Sequence, residues 1–309
     1  MRKKMNKRGF TLIELLIALT VGVVVLGAAL SFGVSTYRMM EGNDIREGAY
    51  RNGRFIGMSL ERDMQTVGVG IASTVSFGTL AAWGDTIVIL AVPFDPNEAP
   101  PYDLEPGPGT DNPLPSGGTC GTYCIDLAPD QPGRAVDMAA GDLARLQVND
   151  ARRLILISSV DKTGNKYSVT FGAHTSLIHY TAGLTGDLRL DRFSTFAQKL
   201  EPVFYYLDGD ALMRATHLNP DGTPAGDVLA YGVAEWEVKM VFTDLDEADN
   251  ANPFDSDPTN DFDDILGIRV RISVAADRAA HYVQGGDLYT REFEWRFSPR
   301  NLMYERNRL

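Results

Sequence analysis

One segment limits what this chain can fold into more than any other. From Phe10 to Thr36 the sole ionisable side chain is Glu14. As an α-helix those residues span about 40 Å, more than the roughly 30 Å hydrocarbon core of a bilayer. Five cations (Arg2, Lys3, Lys4, Lys7 and Arg8) and no acid precede the segment. That bias sets the N-terminus on the cytoplasmic side and the remainder across the membrane. Three plain readings compete: a signal peptide cut near Gly27-Ala28-Ala29, an anchor in which Glu14 is incidental, and a buried core helix. None accounts for a carboxylate four residues into the apolar run. In lipid such a group costs about 3 kcal/mol or more unless it finds a partner.

Beyond Thr36 the helix is expected to continue. No proline interrupts Tyr37 to Met64, and Ile45, Ala49, Asn52/Gly53, Ile56, Leu60, Met64 and Val67 recur at spacings of three and four. This is the pattern of an amphipathic helix lying on a sheet. Gly42, Gly48, Gly53 and Gly57 each weaken it by roughly 1 kcal/mol relative to alanine, so packing must hold it. Gly68-Val69-Gly70 is expected to close it.

Patterning of period two follows. Strands are expected at Thr86 to Val92, Arg153 to Ser158, Tyr167 to Phe171 and Asp187 to Leu190. A hairpin turns at Asp208-Gly209-Asp210 between Val203–Leu207 and Ala211–Thr216. Three longer strands present one apolar face each: Ala234, Trp236, Val238, Met240 and Phe242; Leu266, Ile268, Val270, Ile272 and Val274; Tyr289, Phe293, Trp295 and Phe297. They predict an antiparallel sheet covered on one side by the stem helix, an α+β architecture. Residues 93–118 carry eight prolines and read as a long surface loop.

The chemistry-bearing residues are few. Cys120 and Cys124 are the only cysteines. Zinc needs two further ligands that are not nearby, and the spacing is not that of a redox C-x-x-C pair. Outside the cytoplasm they read as a local disulfide; the alternative is two free thiols. Between Asp244 and Asp264 stand nine acids and no base. This reads as a solvated acidic loop, with calcium on Asp244, Asp246, Asp249, Asp255 and Asp257 as the alternative and the one cofactor considered. His174, His179, His217 and His281 form no catalytic constellation, so no enzymatic activity is expected. Without its first eight residues the chain holds 24 bases against 41 acids. A surface that acidic repels phosphate backbones and argues against nucleic-acid binding by the head.

Lys7-Arg8-Gly9-Phe10-Thr11-Leu12-Ile13-Glu14-Leu15 resembles the class III signal of type IV pilins and type II secretion pseudopilins. The resemblance implies cleavage by prepilin peptidase between Gly9 and Phe10, N-methylation of Phe10, and retention of the helix in the mature protein. It also implies that the Glu14 carboxylate pairs with the N-terminal amine of a neighbouring subunit. The later elements resemble, in their order, PilW-like minor pilins and pseudopilins of the GspJ type. These are the Tyr205-Tyr206-Leu207-Asp208-Gly209-Asp210 hairpin, Leu229 to Val238, Ile268 to Val274, and a last strand followed by Pro299-Arg300-Asn301-Leu302. The stem segment Asn52-Gly53-Arg54-Phe55 is similar to that of the same group. Residues 76–200 match only in outline.

The implied organisation is a leader at 1–9, a transmembrane stem at 10–36, an amphipathic stem at 37–68 and an extracytoplasmic head at 69–309, with a type IV pilin fold. The implied function is that of a minor pilin that helps initiate assembly at or near the pilus tip. Its implied partners are other minor and major pilins, prepilin peptidase and the inner-membrane assembly platform. A secretion pseudopilin is the alternative within the class, and a membrane-anchored adhesin or binding module the alternative outside it.

Overall fold

The computed structural model describes residues 11–83, 85–93, 101–105, 111–113, 123–128, 135–148, 151–172, 187–189, 195–279 and 283–302. One long helix, α1, runs Leu12–Met64. It ends four residues before the expected position. The Thr66 amide and hydroxyl both bond to the Asp63 carbonyl, at 3.0 and 2.7 Å, and close a tight turn. The following backbone joins a strand: the Gly68 amide donates to Leu90 and the Val92 amide to Val69. Gly68 and Gly70 have φ of 71° and 72°, a conformation that glycine adopts at least cost.

Sixteen strands follow among the described residues. They are β1 Leu80–Trp83, β2 Thr86–Ala91, β3 Tyr102–Glu105, β4 Asp111–Pro113, β5 Cys124–Leu127, β6 Leu143–Val148, β7 Ala151–Thr163 and β8 Lys166–Phe171. The remainder are β9 Asp187–Arg189, β10 Thr195–Asp208, β11 Ala211–Leu218, β12 Pro224–Ala230, β13 Val233–Phe242, β14 Glu247–Ala248, β15 Ile265–Ala275 and β16 Thr290–Phe297. The fold is α+β: a long apolar N-terminal helix followed by a β-rich antiparallel domain.

Two compact units divide the chain, Met1–Arg51 with Ala275–Thr290, and Asn52–Val274 with Arg291–Leu309. In the first, Ile45 and Ala49 of α1 bury against Ala276 and Val283, with Tyr289 half-buried beside them. The Arg46 guanidinium lies 6.0 Å from the Tyr289 ring.

In the second unit β13, β15 and β16 share a four-stranded sheet with β14. Ile56, Leu60 and Met64 of α1 belong to the same core as Trp236, Val238, Met240, Phe242, Ile268, Val270, Ile272 and Val274. Two of the expected inward residues are displaced. A register shift between Val233 and Glu235 puts Val233 in the core and leaves Ala234 exposed. A second, between Val241 and Phe242, buries Ile265 in place of Leu266. Bulges of this kind turn a strand by one residue and exchange its faces.

The middle of the chain forms an element that patterning left unresolved. β10 pairs through its first half with β3 on one side and β6 on the other. The strands β3, β5, β8, β7 and β6 pair in that order, so six antiparallel strands close into a barrel. Closure removes the free edges of the sheet. Leu104, Ile125, Leu127, Leu146, Ile155, Ile157, Val169 and Phe171 fill a second core. The second half of β10 leaves the barrel and pairs with β2 and β11. Residues 93–118 are therefore not all loop. Tyr102 and Leu104 are buried in β3 because β5 and β10 supply its ladder partners, and Asp111–Pro113 pairs with β9.

Candidate functional site

At its N-terminus α1 starts on Thr11. The Thr11 hydroxyl accepts from the Glu14 amide at 3.3 Å, and Glu14 Oε2 accepts from the Thr11 amide and hydroxyl at 3.1 Å each. This is a capping box, in which two residues satisfy each other's unpaired amides at a helix start. The Thr-x-x-Glu spacing of Thr11-Leu12-Ile13-Glu14 encodes it, a local role for Glu14 beside that of a charge in lipid. All the donors to Glu14 are neutral, and among the described residues it has no ion-pair partner. Around it Leu12, Ile13, Leu15, Leu16 and Ile17 are exposed. The most apolar stretch of eighteen residues in α1 has a mean hydropathy of 2.6 and is wholly unburied, so the helix is long and apolar enough to cross a membrane. Gly9 and Phe10 lie outside the described residues.

At the other end α1 is held by close packing and by one buried charge. Gly53 abuts the Phe293 ring, and a Cβ on Gly57 would lie 2.8 Å from Trp295 Cε2. Those two rings stack at 5.5 Å with 12° between their planes. Two of the glycines that weaken the helix therefore make room for the sheet. Asp63, a buried acid that the apolar stripe did not reveal, accepts from the Arg214 Nε at 2.6 Å, from the Tyr205 hydroxyl, and from Arg62 Nε at 3.2 Å. Ser59 Oγ lies 3.0 Å from the same tyrosine oxygen. Burial alone would raise the Asp63 carboxyl, but hydrogen bonds from Arg214 and Tyr205 and the Arg214 charge hold it below its ordinary value. Burial, and then the Asp63 carboxylate, push the Tyr205 phenol up.

Residues 4–30 match the model of the prokaryotic N-terminal methylation motif. No curated protein matches the chain. The motif supports a type IV pilin-like or pseudopilin-like protein. For such a pilin-like chain it implies processing by prepilin peptidase and a setting in pilus assembly, and it suggests a structural and not an enzymatic role. With the exposed helix, it fits a membrane-anchored protein.

The acidic loop between β13 and β15 does not bring Asp244, Asp246, Asp249, Asp255 and Asp257 together as a ligand set for calcium. Asp244 Oδ1 accepts from the Asp246 amide, and Asp257 Oδ1 from Thr259. Asp255 accepts from Asn252, Asn260 and the Asp257 amide. Asp249 pairs with Lys239. The carboxylates of Asp244, Asp249, Asp255 and Asp257 each serve their own turn or strand, and none of the five belongs to a cluster of ligand atoms among the described residues. The described group with ligand atoms within 4.8 Å of one another is Asp261, Asp263 and Asp264. Burial, and then the charges of Asp263 and Asp264, raise Asp261. Cys124 opens β5, and Cys120 lies outside the described residues.

Proposed function

We propose that the chain is a minor pilin, anchored by α1 and incorporated with other pilins at or near the tip of a type IV pilus. The observation that carries this is the start of α1. A carboxylate with no ion-pair partner among the described residues stands at the start of α1, beside exposed apolar residues and within the matched methylation motif. A cationic N-terminal amine on a neighbouring subunit would neutralise Glu14 in a medium where an ion pair is barely screened. That amine would be the methylated Phe10, freed by cleavage after Gly9. The stem would pass through the inner membrane, with the head in the periplasm. There Cys120 and Cys124 would form a disulfide, which is supported by the absence of any free cysteine among the described residues.

The same motif would serve a secretion pseudopilin, and the filament that takes up the chain separates the two. Mass spectrometry of the mature protein is expected to find methylated Phe10 at its N-terminus. Sheared pili are expected to contain the chain, and Glu14→Ala to remove it from them at unchanged membrane level. A mature protein that begins near Ser31, or unaltered incorporation of Glu14→Ala, would refute the reading.

A further inference from the structure

Where the barrel meets the core that α1 shares, β6 and β7 bring two arginines onto one face. Ala144, Leu146 and Ile155 belong to the barrel core, whereas Leu143 and Leu154 belong to the other. Arg145 stands between Ala144 and Leu146 and pairs with Leu154, so it turns out of the barrel. On its other side it pairs with Gln198 of β10. Arg152 and Phe196 both pair with Gln147, two residues along the same face. Diagonal neighbours of this kind lie within reach of long side chains.

Arg145 is only 6% exposed. Its guanidinium lies 4.9 Å from the centre of the Phe196 ring and donates to Gln198 Oε1, both neutral groups. Its Nε is buried without a hydrogen-bond partner, and among the described residues it enters no ion pair. A second cation stands beside it: Arg152, whose Nη1 donates to the Ala72 carbonyl at 2.7 Å, in the segment that follows α1. Burial, and then the Arg152 charge, push the Arg145 guanidinium down to about 10. It therefore remains a cation at neutral pH.

A buried charge is costly unless it is paired, and an arginine cannot escape that cost by losing its proton. The described surroundings of Arg145 supply a ring, an amide oxygen and a like charge, but no counter-charge. The degree of burial selects what can supply one. A nucleic acid or the acidic face of another protein is too large to reach the guanidinium, whereas a small ion is not. Guanidinium groups bind tetrahedral oxyanions through paired N–H donors.

We infer that Arg145 and Arg152 form a binding site for a small inorganic oxyanion of the phosphate or sulfate class. Bound there, the ion neutralises the buried guanidinium and ties the barrel to the segment that carries Ala72. The inference is independent of Glu14 and of the filament type.

The test follows the thermal midpoint of the full chain in detergent, in chloride buffer and on addition of millimolar phosphate or sulfate at matched ionic strength. An ion that binds the folded state raises the midpoint as it fills its site, which separates it from the unsaturable effect of these salts at high concentration. A saturable rise of a few degrees is expected with either oxyanion and none with chloride. Arg145→Gln is expected to abolish the rise. Gln198→Glu sets a carboxylate beside Arg145, in the place of the ion. It is expected to raise the midpoint in chloride and to remove the response to phosphate, and it decides the matter if Arg145→Gln does not fold. No rise in the parent chain, a rise that chloride reproduces, a rise that either variant retains, or a midpoint of Gln198→Glu in chloride at or below the parent's would each overturn the inference.

Discussion

Between Leu12 and Val34, α1 leaves its large apolar side chains in the open; between Ile56 and Met64 it buries Ile56, Leu60 and Met64 completely or nearly so. The glycines tell the same difference. Nothing lies within 4 Å of a Cβ placed on Gly22, Gly27 or Gly33, whereas Gly53 and Gly57 are pressed by the rings of Phe293 and Trp295. Both stretches are continuous helix without proline, so backbone preference does not distinguish them. They differ in where the apolar surface is satisfied: outside the chain for the first stretch, within the head for the second. Substitutions in the second should therefore register in the unfolding of the head, and substitutions in the first should register in assembly alone.

The largest effect on head unfolding is expected at Asp63. Asp63→Ala leaves Arg214 and Tyr205 facing a buried position without their acceptor and should cost about 3 kcal/mol in chemical denaturation. The carboxyl is held below its ordinary value of 3.8. Its contribution is thus present above that value and lost as the pH falls through the lower folded value. Asp63→Asn should flatten this acid limb of the stability curve. An unchanged limb would separate Asp63 from the acid response of the head.

Gly57→Val comes next. Its side chain would need the space of Trp295, and a destabilisation of about 2 kcal/mol is expected from overpacking, read as a lower thermal midpoint. The counterpart in the exposed stretch, Gly27→Ala, should leave the head midpoint unchanged and strengthen the helix by up to about 1 kcal/mol. Equal effects at the two glycines would break the comparison.

Glu14 should have no effect on head unfolding. Glu14→Gln retains an acceptor for the capping box, since Gln serves at that position, and removes the charge. If the charge matters for assembly, Gln should fail in sheared filaments as Ala does. Incorporation of Gln at the wild-type level, with Ala excluded, would assign Glu14 to the cap.

Much of this was legible in the chain itself. The period of the stem stripe gave the buried residues from Ile45 to Val67, and the leader pattern located Glu14. The barrel was not legible. β3 is bracketed by prolines and glycines and is a strand only because β5 and β10 lie on either side of it. The acidic loop reads in sequence as solvated with calcium as the alternative, because charge density in one stretch does not say whether the oxygens converge. Asp244, Asp255 and Asp257 accept from backbone amides of their own turns, while Asp249 pairs with Lys239.

The apolar run, its single carboxylate and the basic leader are local properties. They fix a membrane-length helix whatever the head becomes, because hydropathy and helix length do not depend on distant contacts. The bulges that exchange Ala234 for Val233 and Leu266 for Ile265, the closure of β10 with β6, and the meeting of Asp63 with Arg214 belong to the tertiary structure. Each depends on pairing between residues far apart in the chain, which local pattern does not encode.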